Sequence, residues 1–266
     1  MLNDFKLVKS KKKKKRKKFS DSSSDLSFSL ESYEFRKVET AVKEFELSQF
    51  CQSILNDIND YLTFVNKNSI EEIICYGLGN FSESKTALHQ LAALIVLQNK
   101  YKPEVKIYDP AFNVTEIKIL EKLNFELLLE NEEAKRKLSE NLVSLVFFPH
   151  CPKQLINNFL WANWNNNLKN CIIISNSFSK ILQDCTEKTI KASANYIKKI
   201  FPKVKEIEIE NSYYFDNIFN DISIHYISQI ELDCDFFLNS LETEPIYHSD
   251  IEFITKKITE TQINNE

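Results

Sequence analysis

The chain has two glycines in 266 residues, Gly77 and Gly79, and both stand in one stretch, I-C-Y-G-L-G-N-F. A short apolar run precedes them and a long apolar-periodic segment comes after. A tight connection from strand to helix needs positive φ or a close backbone approach, and glycine supplies either at the least steric cost. A sequence that avoids glycine elsewhere has kept it where a strand-turn-helix unit demands it. That unit sets the period for the segments downstream of it.

Strand-like and helix-like segments then alternate. Glu72 to Tyr76 reads as a strand and Ser84 to Tyr101 as a helix apolar almost all round, hence buried. Val105 to Tyr108 predicts a second strand, followed by a helix from about Val114 to Leu123. Phe125 to Leu129 predicts a third, followed by a short charged helix around Glu133 to Leu138. Leu142 to Phe148 and Cys171 to Ile174 predict the fourth and fifth, with helices after each, the first of them from about Lys153 to Trp164. Thr189 to Ile200 reads as a helix and Val204 to Ile209 as a strand, and F-N-D-I-S-I-H-Y-I as a strand pairing antiparallel at a sheet edge. Upstream, Val38, Val42 and Phe45 share one helix face. Phe50, Ile54, Ile58 and Leu62 share another, behind Ser48 as N-cap. Five apolar strands spaced by helices call for a sheet covered on both faces. The expected class is α/β: a Rossmann-like, doubly wound, mostly parallel sheet with N-terminal helices and a disordered basic N-terminal tail.

Charge divides the chain. Through Lys18 there are ten Lys and Arg against one Asp, a local +9, so the remainder carries −13 to reach the overall −4. The run Lys11 to Lys18 buries nothing and repels itself, so residues 1–30 are expected to be disordered. Such a run suits the nuclear import machinery, which places the protein in cytoplasm and nucleus; nucleic acid ranks lower as a partner because the body is acidic. Serines 20, 22, 23 and 24 beside Asp21 and Asp25 suit acid-directed kinases. No apolar run is long enough to span a membrane, and no apolar segment behind the N-terminal charges suggests a secretory leader. Six cysteines without a C-x-x-C pair fit buried reduced thiols, and no metal site is expected.

The polar residues of the core come directly after the strands: Asn80 the first, Asp109 the second, Glu130 and Asn131 the third, His150 the fourth, Asn176 and Ser177 the fifth. In a parallel sheet these positions converge on one rim, outside the carboxyl ends where open α/β folds take ligands. Gly77, Gly79, Asn80, Asp109, Glu130, Asn131, His150, Asn176 and Ser177 are therefore the candidate binding residues. The turn matches a dinucleotide fingerprint only in part, because Ser82 stands where a third glycine would be. Asp109 holds the place of a ribose-binding acid, or simply that of a turn-former before Pro110. His150 and Cys151 do not make a nucleophile and base, since neighbours leaving a strand point apart. Trp161 and Trp164, three apart, are expected on one helix face, packing the core. Asn220, Asp221 and His225 reach the rim or serve as caps and turns.

Seven blocks in order resemble the SRR-type family, named from the plant phenotype "sensitivity to red light reduced". They are I-C-Y-G-L-G-N-F at 74–81, Y-D-P-A-F at 108–112, E-N-E-E-A-K-R at 130–136, P-H-C at 149–151, N-N-F-L-W-A-N-W at 157–164, I-I-S-N-S-F at 173–178 and F-N-D-I-S-I-H at 219–225. Ser175 departs from the glycine usual before N-S-F. The resemblance implies a Rossmann-like core and a regulatory role, in circadian rhythm and light signalling in plants and in haem biosynthesis and clock-gene expression in mammals. It implies no reaction, so no catalytic residue is carried over. The expected organisation is a tail at 1–30, helices at 31–68, the SRR-like domain at 69–234 and a peripheral segment at 235–266. Three functions stand open: a regulator with a cleft for a small-molecule ligand or protein partners, a methyltransferase-like enzyme, and a scaffold with a degenerate cofactor site. S-adenosylmethionine, a nucleotide and haem are the cofactors to test.

Overall fold

The computed structural model describes residues 22–210, 212–227, 236–237 and 243–247, with side chains from residue 31 onward. The basic run Lys11 to Lys18 lies outside the described residues, as does most of the expected C-terminal segment. Among the described residues no helix is long and apolar enough to cross a membrane.

The first strand, β1 (Glu72–Tyr76), is buried along its whole length: Ile73 to Tyr76 lie between two layers of helix, and Glu72 is paired with Lys106 at 2.8 Å. Around it stand β2 (Glu104–Tyr108), β3 (Glu126–Leu127), β4 (Ser144–Phe148), β5 (Cys171–Asn176), β6 (Val204–Glu208) and β7 (Ile222–Ile227). They form one seven-stranded sheet in the order β3-β2-β1-β4-β5-β7-β6. The pairings among β1 to β5 are parallel, and β7 runs antiparallel to both neighbours. This is a doubly wound, Rossmann-type sheet. Its chain reverses direction of winding between β1 and β4.

Successive strand residues face opposite layers. Ile73 and Cys75 of β1, with Leu145 and Phe147 of β4, pack under α1 (Ser22–Glu46), α2 (Gln49–Phe64), α3 (Lys85–Tyr101) and α4 (Val114–Lys122). Ile74 and Tyr76, with Val146 and Phe148, pack under α5 (Lys153–Ala162), α6 (Phe178–Asp184), α7 (Glu187–Ser193) and α8 (Asn195–Ile200). Ser48 caps α2 by accepting the Cys51 amide, and Ser84 caps α3 by accepting that of Ala87.

Several expectations are corrected. Helix α1 starts at Ser22, inside the stretch expected to be disordered and well before Arg36, where the apolar periodicity begins. Residues 133–138 are not helical: Glu133 and Ala134 both adopt positive φ, and Asn131 and Asn158 take the Glu133 amide and carbonyl that a helix would have used. The helix expected over 189–200 is broken at Ala194, beyond which the Tyr196 amide donates to Asn157 Oδ1 at 2.7 Å. Strand β7 is internal rather than at the edge, and β6 is the outer strand. Trp164 lies past the end of α5, so the two tryptophans do not share a helix face; its ring packs against Tyr196, Phe236 and Phe237.

Candidate functional site: the carboxyl rim of the sheet

In register, Tyr76 lies beside Tyr108, Cys75 beside Phe147, and Phe148 beside Ser175, so the turns after β1, β2, β4 and β5 leave one rim together. Gly77 and Gly79 both have positive φ, +70° and +83°. Only Gly77 is also demanded by space: a Cβ there would come within 2.3 Å of Cys151 Sγ. That thiol donates to the Tyr76 carbonyl at 3.0 Å, and burial pushes its pKa far up, so Cys151 is a filler and not a thiolate. It occupies the space between β1 and β4, at the reversal point of the sheet.

Asp109, at the end of β2, is 7% exposed. One of its oxygens accepts the Gly79 amide at 2.7 Å and the other the Ala111 amide at 2.7 Å. The carboxylate thus ties the glycine turn to the β2 turn. Asn80 folds into its own loop, its Oδ1 accepting the Ser82 and Glu83 amides. The fully buried Glu116 completes the closure, accepting the Ser82 amide at 2.7 Å and the Asn113 amide at 2.9 Å. Sequence marks Glu116 only as the last residue of an Asn113-x-x-Glu116 capping box; its reach to Ser82 has no local signal.

His150 has positive φ and stands exposed, with Nε2 3.0 Å from the Ile218 carbonyl, a group that also accepts from Gln90. It parts from Cys151 as two neighbours leaving a strand should. Asn176 Nδ2 donates to the Cys151 carbonyl at 3.3 Å, linking the β5 and β4 turns. Glu130 is exposed at the β3 end, and Asn131 caps the Glu133 amide there. Above β1, the Tyr76 hydroxyl donates to Glu132, which Arg136 grips with two hydrogen bonds at 2.9 and 2.6 Å. Among the described residues no group of three or more His, Cys, Asp or Glu is arranged to hold a metal ion.

The far end of the rim is built differently. Ser177 caps α6 by accepting the Lys180 amide, and its own amide donates to the Asp221 carbonyl. Glu206 of β6 accepts both the amide and the hydroxyl of Ser179. His225 of β7 is fully buried and stacked on Phe178, with Nδ1 3.1 Å from the Ile173 carbonyl and Nε2 3.3 Å from the Phe178 amide nitrogen and 3.7 Å from Glu206 Oε1. Burial alone would raise the Glu206 carboxyl; the His225 ring and hydrogen bonds from Ser177 and Ser179 outweigh it and bring the pKa down to about 2. Ser175 Oγ lies 3.5 Å from His225 Nδ1, but it is completely buried, so no substrate can meet this serine.

An SRR1-like protein of Drosophila melanogaster is 33% identical over 168 residues, 62% of this chain and 58% of that protein. The chain therefore spans less than two thirds of the fly protein's length. An SRR1-like protein of Mus musculus is 28% identical, covering 64% of this chain and 81% of its own. The Arabidopsis thaliana protein SENSITIVITY TO RED LIGHT REDUCED 1 is 26% identical, covering 73% and 74%. Among solved structures, a plantazolicin methyltransferase aligns at 12% identity over 76% of this chain and 96% of its own, with a TM-score of 0.35, too low to carry an argument about activity. The SRR1 domain matches residues 47–226, which takes in both ends of the rim and all of the sheet but Ile227, and the chain belongs to the SRR1 domain family.

Proposed function

We propose that the protein is a regulator that acts by binding a protein partner along the carboxyl rim, the cofactor position of the fold being filled by the chain's own groups. One observation carries this reading: both Asp109 oxygens are committed to backbone amides, one of them in the glycine turn itself. A ribose would have to displace those bonds, each charge-assisted, in a nearly dry position. Cys151 supports the same reading by occupying the reversal point where ligands of open sheets enter. At the β2–β3 end of the rim, Leu129 is 95% and Val114 70% exposed, apolar surface that a partner protein would cover. The processes for such a regulator are those the family resemblance implies, clock-gene expression and haem biosynthesis. A second reading, group transfer from S-adenosylmethionine, is favoured by the switch point between β1 and β4, where a doubly wound sheet takes its ligand.

Calorimetric titration with S-adenosylmethionine, nicotinamide nucleotides and haem separates the two. The expected result is no saturable binding tighter than about 1 mM. Micromolar binding of S-adenosylmethionine that disappears in Asp109→Ala would overturn the regulator reading in favour of the enzyme.

A further inference from the structure

A groove lies away from the rim, on the α5–α8 side. Outside its first 18 residues the chain carries −13, yet residues 187–205 hold six lysines against one glutamate, a local +5. Part of that excess charge lines the groove, of about 890 Å³, between α5, α7 and the segment 243–247. Lys153, Lys188 and Lys191 line it, and none of the three has an ion-pair partner among the described residues. The wall opposite is fastened. Tyr247 is buried, its hydroxyl exchanging hydrogen bonds with Asn157 at 2.9 Å and Asn158 at 3.0 Å, and Glu244 pairs with Lys135 at 2.6 Å. The volume falls within the range of specific binding sites.

We infer that this groove binds an acidic, extended segment of a partner protein, with Lys153, Lys188 and Lys191 taking its carboxylates. Charge complementarity carries the choice, because lysines without an ion-pair partner among the described residues, clustered on an otherwise acidic body, attract anionic groups. The wall at 243–247 lies outside every ladder of the sheet. Nucleic acid fits less well. The tyrosines lining the groove, Tyr196 and Tyr247, are 2% and 4% exposed and offer no face for base stacking, and the body as a whole repels a polyphosphate.

Lysine acetylation footprinting of the full chain, read residue by residue by mass spectrometry, tests this with hexaglutamate as probe. Resolving individual lysines separates the groove from the basic run at Lys11 to Lys18, which will bind any polyanion. With hexaglutamate at low salt, the reactivity of Lys153, Lys188 and Lys191 is expected to fall about threefold or more, and to recover as salt is raised. The exposed Lys67 and Lys100, on the other face of the sheet, should not change. In Lys153→Glu/Lys191→Glu, with folding checked by circular dichroism, protection of Lys188 should vanish. Equal protection by inorganic phosphate at matched ionic strength would overturn the peptide assignment in favour of a phosphate site. Unchanged reactivity, or equal protection of every surface lysine, would dismiss the groove altogether.

Discussion

The two ends of the carboxyl rim are closed by different chemistry. Around β1, β2 and β4 the closing groups are Asp109, Glu116 and Cys151, and each is bonded to main chain: to the amides of Gly79, Ala111, Ser82 and Asn113, and to the Tyr76 carbonyl. Around β5, β6 and β7 main-chain bonds to Ser177, Glu206 and His225 are joined by side-chain ones, which tie Glu206, Ser177, Ser179 and His225 into one cluster. Main-chain partners cannot rotate away, so the first end tolerates little change of shape. The second is also held to main chain, but it depends in addition on the charge of one carboxylate.

The sharpest way to break the comparison is Gly77→Ala. A methyl group there meets Cys151 Sγ at 2.3 Å while the backbone stays at φ +70°. Steric overpacking and the left-handed conformation together should cost about 3–4 kcal/mol, read as a shifted midpoint in denaturant unfolding. Adding Cys151→Ala should recover the steric share and leave about 1 kcal/mol. A cost for the single variant near that residue alone would mean that the β1–β4 junction is not tightly filled.

The opposite end should answer to acid. The folded Glu206 carboxyl sits at about 2, below its ordinary value of 4.5, so its contribution is present above the ordinary carboxylate range and is lost as pH falls through that window toward 2. Over those pH values the native protein should lose about 2 kcal/mol that Glu206→Gln, already without the charge, does not lose. Parallel stability curves for the two proteins between pH 4.5 and 2 would show that the cluster is not held by charge.

How much of this arrangement the sequence shows depends on the range of each interaction. The β1 turn, β4 and β5 are legible because their apolar runs are buried by their own composition. The third strand shrinks to Glu126–Leu127 because its ladder with β2 covers only Lys106 and Ile107, and that length depends on a neighbour. Alternation in Ile222–Ile227 correctly signals a strand, but Ser223 and His225 suggest a wet face that does not exist. Both are buried, since Phe178 of α6 stacks on His225 from that face and Glu206 of the neighbouring strand β6 joins the cluster. At the rim, position after a strand singles out Asp109 and Asn80, but their partners are backbone amides, which no residue letter reports. Glu206 escapes notice entirely: in V-K-E-I-E it looks like an exposed edge charge.

Gly79→Ala is the smallest of these effects and the one that isolates conformation from packing within a single turn. Its φ of +83° is as unfavourable for alanine as that of Gly77, yet a Cβ would meet only Ala87 Cβ at 3.6 Å, an ordinary contact. The Gly79 amide would remain free to donate to Asp109. The expected cost is therefore the left-handed penalty alone, about 1 kcal/mol. The ratio between the two glycines matters more than either value. If Gly79→Ala proves as damaging as Gly77→Ala, the turn as a whole resists any side chain, and its rigidity comes from the Asp109 and Glu116 carboxylates. If the costs differ by the expected margin, the thiol between β1 and β4 supplies the additional constraint, and that is the group any entering ligand would first have to move.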